Sequence, residues 1–174
     1  MELRAAEISD IDDIVEIVSG ARAFLKLNGV DQWQDGYPEK SVFEQDIRNG
    51  NCFVAAENGR AVGVICVIVG EEPGYNLIED GSWLTENSVY AVFHRFAVQE
   101  TYRGRGLATR LLSFAESLAR GKNAKSLRGD THRGNKSMRG LLEKCGYTSC
   151  GTVYVECEPG RDSRRLAYEK ILTD

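Results

Sequence analysis

Six residues, Arg103-Gly104-Arg105-Gly106-Leu107-Ala108, constrain this chain more than any other stretch. Upstream, Val89 to Val98 reads as a strand, because Phe96 and Val98 are strand formers closing an apolar run. Downstream, Leu107, Leu111, Ala115 and Leu118 recur at helical spacing, which predicts an amphipathic helix to about Arg120. Two glycines alternating with two arginines therefore mark a helix start. The first N–H groups of a helix lack intrahelical partners and carry the positive end of its dipole. Glycines there tolerate unusual dihedrals and let a ligand approach the backbone. Such a turn suits phosphate, most naturally a diphosphate. Walker A chemistry needs Gly-Lys-Ser/Thr after the glycines, and the dinucleotide fingerprint needs a third glycine near an N-terminal parallel crossover; the chain has neither. The plainer alternative is a glycine-rich turn with no ligand.

The rest of the chain reads as one domain, residues 1–174, with no internal repeat or linker. Residues 2–6 form a short first strand. Ser9, three residues before Asp12, predicts a capping-box start for a helix that buries Ile11, Ile14, Val15, Val18 and Leu25 and stops at Asn28-Gly29. Asp31 to Pro38 is polar yet carries Trp33 and Tyr37, so it reads either as a lid over the core or as the wall of a ligand pocket. A second helix spans Ser41 to Arg48, with Val42, Phe43 and Ile47 inward. Cys52–Glu57 and Arg60–Val69 flank Asn58-Gly59, the preferred two-residue hairpin turn. Gly70 to Ser88, a long connection with Pro73, Tyr75 and Trp83, reads as functional. Ser126–Thr131 is a strand, and Asn135 caps a helix whose apolar face is Met138, Leu141, Leu142 and Cys145, ended by Gly146. Tyr147–Cys157 and Leu166–Ile171 are the last strands, joined by a polar turn from Glu158 to Arg164.

Charge and cysteine content narrow the setting. A net charge of −4 argues against a nucleic-acid surface. Five cysteines without close metal-type pairs suggest reduced thiols, a cytoplasmic location and no metal. The N-terminus lacks a signal-peptide pattern, and the longest apolar run, Ala61 to Val69, falls short of the ~20 residues a membrane helix needs, so no membrane role is expected.

Two motifs and the order of elements resemble the GNAT superfamily of N-acetyltransferases over nearly the whole chain. Arg103, Gly106 and Ala108 match its acyl-CoA loop: Arg or Gln, two residues, Gly, one residue, Gly or Ala. Asn135 to Tyr147 is similar to its asparagine helix, which ends in Glu-Lys, any residue, Gly and an aromatic. The resemblance implies the acyl-CoA N-acyltransferase fold, an α/β (α+β) arrangement with a mixed, mostly antiparallel sheet of about seven strands flanked by helices. It implies acetyl-CoA as co-substrate, its pantetheine arm lying between two splayed strands. Phe96, Ala97 and Val98 would bond that arm through their main chains, Arg103, Gly104, Arg105, Gly106, Leu107, Ala108 and Thr109 would hold the diphosphate, and Asn135 would contact the arm from across the cleft.

The implied reaction is direct attack of a neutral amine on the thioester. His94 sits at a strand position that relays protons in the arylalkylamine branch of the family, and period two puts it on the face of Phe96 and Val98. The plain alternative is a core histidine satisfied by a carbonyl or by Tyr90. His132 is a weaker candidate that would fix the loop to Asn135. Where many members carry a tyrosine acid, seven residues after the asparagine, this chain has Leu142, leaving Tyr147 or Tyr90 to protonate the thiolate, or no dedicated acid. Trp33, Tyr37 and Trp83 form the expected acceptor wall; their alternative is packing over the sheet edge. The expected acceptor is a small-molecule amine, with a peptide N-terminus or a non-catalytic acyl-CoA-binding module as rivals. A homodimer is the candidate assembly.

Overall fold

The computed structural model describes residues 1–157 and 159–172. Its strands are β1 (Glu2–Ala5), β2 (Cys52–Glu57), β3 (Arg60–Val69), β4 (Tyr90–Val98), β5 (Ser126–Thr131), β6 (Thr148–Tyr154) and β7 (Arg164–Ile171). Its helices are α1 (Ile11–Leu27), α2 (Lys40–Arg48), α3 (Leu107–Gly121) and α4 (Lys136–Lys144). The strands form one sheet in the order β1-β2-β3-β4-β5-β7-β6, antiparallel except for the β4–β5 pair. This is the mixed α/β sheet expected from the sequence. Among the described residues, no helix is long and apolar enough to cross a membrane.

Two apolar layers hold the helices to the sheet. On one face, Leu107, Leu111, Leu112 and Ala115 of α3 and Leu142 of α4 pack against Phe53, Ile65, Val67, Phe93 and Phe96. On the other, Ile14, Ile17 and Val18 of α1 and Phe43 of α2 pack against Val54, Val64, Cys66 and Ala97. Gly63 of β3 has no room for a side chain, since a Cβ would lie 2.8 Å from a Leu111 methyl, so α3 lies close against the sheet there.

Several local expectations need correction. The chain enters α1 through a 3-10 turn, Ile8–Asp10, and the reciprocal cap is made by Glu7 and Asp10, not by Ser9 and Asp12. Asp10 is buried and chelated by Arg4 at 2.7 and 2.8 Å, so it can also accept from the Glu7 amide at 2.8 Å. Val15 points to solvent and Ile17 takes its place on the buried face. β6 stops at Tyr154, short of Cys157, and Glu158 of the expected polar turn lies outside the described residues. The long 70–88 connection is anchored at the sheet edge, where Glu79 and Thr152 exchange two backbone hydrogen bonds of 2.8 Å.

β4 carries a bulge. Ala97 pairs with Val64 and His94 with Cys66, so Arg95 and Phe96 together face the single residue Ile65. Arg95 takes φ +49°, a conformation an L-residue keeps only when neighbours hold it. Period two is broken there. Phe93 and Phe96 share the α3 face, while His94 lies on the α1 face with its partner Cys66. The expectation that His94 shares a face with Phe96 and Val98 is therefore wrong by one inserted residue.

Candidate active site

The site begins where β4 and β5 part. Their pairing covers Tyr90–Val92 with Ser126–Arg128 and goes no further. Phe93 lies over Gly129, where a Cβ would come 2.1 Å from its ring. Beyond that wedge no strand of the described residues lies along the β5-facing edge of β4, although Ala97 and Val98 still pair with β3 on the other edge. An unpaired strand edge is a place where an extended chain can add.

The glycine turn lies at the end of this open edge. Gly104 and Gly106 take φ +73° and +79°, and nothing lies within 4 Å of where their Cβ atoms would be. Gly106 is the N-cap of α3 and has no side-chain cap. The helical ladder opens with the Arg110 amide donating to Gly106 at 3.1 Å, so the amides before it have no intrahelical acceptor. Open space, left-handed glycines and uncapped amides fit a diphosphate. Arg103 lines the adjoining cavity with its guanidinium 4.0 Å above the Phe24 ring, whereas Arg105 leans towards Tyr102, 5.9 Å from that ring, outside it.

A cavity of about 910 Å³ runs from this turn through the β4–β5 gap to the α1 face of the sheet. Of the residues expected to hold the donor, Phe96, Ala97, Val98, Arg103, Gly104, Ala108 and Asn135 line it. Arg105, Gly106, Leu107 and Thr109 do not, and the Leu107 side chain is buried in the core beneath α3. Asn135 is both an N-cap, accepting from the Met138 amide at 3.2 Å, and a cavity residue.

On the α1 face the cavity meets four paired groups. His94 Nε2 lies 3.0 Å from Glu72 Oε2, and that bond holds the Glu72 carboxyl below its ordinary range. The buried Tyr75 hydroxyl donates to Asp130 Oδ2 at 2.7 Å; burial and the neighbouring carboxylate push this phenol well above its usual range, so it stays protonated. Arg95 donates to the Tyr37 hydroxyl at 2.6 Å and through Nη2 to Asp46 at 3.0 Å; its Nε is 2.7 Å from the same carboxylate but not aligned for a hydrogen bond. Gln32 Oε1 accepts from the His132 amide at 3.2 Å and faces Asn135 Nδ2 at 3.4 Å, tying the α1–α2 loop to the start of α4. The β6–β7 loop closes the far wall, where Arg161 pairs with Asp31 and donates to the Gln34 carbonyl at 3.3 Å.

Trp33 and Tyr37 line this wall. Trp83 does not. Its indole donates to the Tyr75 carbonyl at 3.0 Å, and its ring lies between Tyr75, 5.1 Å away, and the Arg128 guanidinium at 4.3 Å. It buttresses Tyr75 from behind, which corrects its assignment to the acceptor wall. Tyr147 is corrected too: it is buried against Phe93 on the α3 face and donates to Glu116 at 3.3 Å, away from the cavity. Burial and Glu116 push its phenol above the usual range. Tyr90 spends its hydroxyl accepting from the Glu72 amide at 3.0 Å. Leu142 is fully buried in the core, so a cavity hydroxyl is missing there. His132 lies outside the cavity, its Nδ1 accepting from Gly134 at 3.0 Å, which fixes the turn into α4.

Glu72, Asp46, Gln32 and the β6–β7 wall were not found from the sequence. The Glu72–His94 bond spans 22 positions and the Gln32–Asn135 contact 103. Neither spacing carries a periodic signal. The one available hint was acidic and aromatic residues clustered in the 70–88 connection.

Known proteins repeat this architecture. The model of the acetyltransferase (GNAT) family matches residues 18–147. A GNAT-family acetyltransferase from Streptococcus agalactiae is 38% identical, with a TM-score of 0.87 over 99% of this chain and 96% of that one. A putative acetyltransferase from Staphylococcus aureus is 26% identical, with a TM-score of 0.74 over 99% of this chain and 100% of that one. The ribosomal-protein-alanine N-acetyltransferase of Brucella melitensis shares the fold at 22% identity and a TM-score of 0.71, over 99% of this chain and 100% of that one. No curated protein sequence matches the chain. With the family model matched over three quarters of the chain and a 38% identical relative sharing the fold from end to end, the chain belongs to the GNAT family of acetyltransferases.

Proposed function

We propose that this enzyme transfers the acetyl group of acetyl-CoA to the amine of a small molecule held on the α1 face of the sheet. The supporting observation is the shape of the cavity, which joins the glycine turn to a pocket walled by Trp33, Tyr37 and Tyr75. The Arg161–Asp31 pair clasps the two loops that border it. A small amine fits such a pocket, whereas a peptide needs a groove open along its length.

Acetyl-CoA supplies an activated acyl group. The open β4 edge at Phe96–Val98 receives its extended arm, and the α3 amides receive its diphosphate. A free amine with a pKa near ~10 is almost wholly protonated at neutral pH, so the acceptor must lose a proton before it attacks. His94 takes that proton. Its Nε2–H donates to the Glu72 carboxylate, fixing the tautomer and leaving Nδ1 as the acceptor. The neutral amine then forms the N–C bond, the C–S bond breaks, the first proton stays on the imidazole, the nitrogen releases its second proton to solvent as the amide forms, and the sulfur leaves as thiolate. A thiol pKa near ~8.5 makes that departure tolerable without a dedicated acid.

Thiol release from acetyl-CoA, measured with a panel of small primary amines and with unblocked peptides, tests the reading. Turnover of small amines with peptides inert is expected. Peptide-only turnover, or binding of acetyl-CoA with no turnover of any acceptor, sinks it.

A further inference from the structure

Arg165 is the second residue of β7, is 7% exposed and lines the cavity. Its Nη1 donates to two backbone carbonyls, those of Asp162 at 2.6 Å and Arg164 at 2.9 Å. No carboxylate of the described residues lies within ion-pair distance of it. Two acids nearby are committed elsewhere, and Glu156, which lines the same cavity, forms no ion pair with Arg165. Asp162 is held by Arg164 at 3.0 and 3.3 Å, and that pairing lowers its carboxyl to about 2. Asp130 accepts the Tyr75 hydroxyl. The positive field of Arg165 is felt next door, where burial and then this guanidinium hold the His132 imidazole below its ordinary range. The other cavity arginines differ. Arg95 is neutralised by Asp46, and Arg103 stacks on Phe24 beside the glycine turn.

A guanidinium buried without a counter-charge is costly unless an anion arrives to pair with it. Its place in the sheet says which anion. Arg165 pairs with Val153, which packs with Val92, Ala167 and Tyr75 on the pocket face of the sheet. β7 is separated from β4 by β5 alone, and continuing the strand registers sets His94 level with Asp130 and its partner Ala167, so Arg165 stands two strands over and two residues farther along, at least about 12 Å away at the backbone where β4 and β5 part. The reach of the two side chains shortens that gap.

We infer that the acceptor carries a carboxylate as well as its amine, and that Arg165 binds the carboxylate while the amine meets Glu72 and His94. The inference rests on the small-amine reading and names the class of amine: amino carboxylates. A planar guanidinium matches a carboxylate with two parallel N–H···O bonds, an arrangement that a carboxamide cannot copy.

The test compares matched acceptors on the intact enzyme. 4-Aminobutanoate, 6-aminohexanoate and phenylalanine are each assayed beside their primary carboxamides, with acetyl-CoA saturating. The wild-type enzyme should favour carboxylate over carboxamide by about tenfold or more in kcat/KM. Arg165→Met should abolish that preference through the KM of the carboxylate, with acetyl-CoA KM unchanged, and Arg165→Lys should restore part of it. Equal turnover of acids and amides by wild type overturns the inference and leaves the small-amine reading standing. No turnover of any probe or other small amine sinks both. An Arg165→Met enzyme that keeps the preference also overturns it, and the wild-type comparison decides the matter if that variant fails to fold.

Discussion

His94 and Glu72 meet across 22 positions of sequence, and their 3.0 Å contact is what turns a strand histidine into a candidate base. The strand alone does not place it. Period two puts His94 beside Phe96, but the bulge at Arg95, held by Asp46 and Tyr37, moves it to the opposite face. Both of those partners come from the α1–α2 region. The same bulge thus exposes His94 to the acceptor side of the sheet. His94→Gln should bind acetyl-CoA normally and lose about 100-fold in kcat at pH 7, the range expected for a positioned base. The deficit should narrow as pH rises towards the amine's own pKa, because free amine then forms unaided. A variant whose pH profile parallels wild type would return His94 to a packing role. The glycine turn was legible at this scale, since its two left-handed glycines are a local demand of the backbone. The ion pairs of Arg95 and the partner of His94 were not, because long-range side-chain contacts leave no spacing in sequence.

At the level of elements, the strands and helices follow their hydrophobic periods closely, and the misreadings fall where an irregular segment meets a regular one. The 70–88 connection is the main case. Of its aromatics, Trp83 is expected from the sequence in the acceptor wall, yet it works inside a buried network while Tyr75 lines the cavity. Glu169 of β7 is fully buried and accepts from Arg128 Nε at 2.9 Å, from Ser126 Oγ and Thr85 Oγ1, and from the Leu84 and Thr85 amides. Arg128 also stacks 3.9 Å above Tyr90 and 4.3 Å above Trp83. Burial alone would raise the Glu169 carboxyl, but the hydrogen bonds from Ser126, Thr85 and Arg128 outweigh it and hold it low. The network pins the connection that presents Glu72 and Tyr75. Glu169→Gln leaves the Arg128 charge buried and uncompensated, at a cost of about 3 kcal/mol. In a chain of this size that lowers Tm by roughly 6–12 °C. A calorimetric Tm within about 2 °C of wild type would show that the network is not what holds the connection.

For the molecule as a whole, four carboxyls are held below their ordinary ranges: Asp10 by Arg4, Glu72 by His94, Asp162 by Arg164, and Glu169 by its network. A carboxyl lowered on folding stabilises the protein above its unfolded pKa, near 3.8 for the aspartates and 4.5 for the glutamates. That stability is lost as pH falls through the folded values. The urea midpoint should therefore hold from pH 7 to about 5 and fall steeply below about 4.5; a midpoint unchanged at pH 3 would contradict these assignments. The larger claim is that one cleft crosses the sheet, with the donor's diphosphate at the start of α3 and the acceptor on the α1 face. The direct test is calorimetric titration of acetyl-CoA into wild type, Gly106→Ala and Gly106→Glu. Both variants carry the strain of a side chain at φ +79°, about 1 kcal/mol, into space that is otherwise open. Only glutamate adds a negative charge beside the diphosphate. Gly106→Ala should keep most of the wild-type affinity and Gly106→Glu should lose it, whereas a folded Gly106→Glu protein with unchanged affinity would place the diphosphate elsewhere.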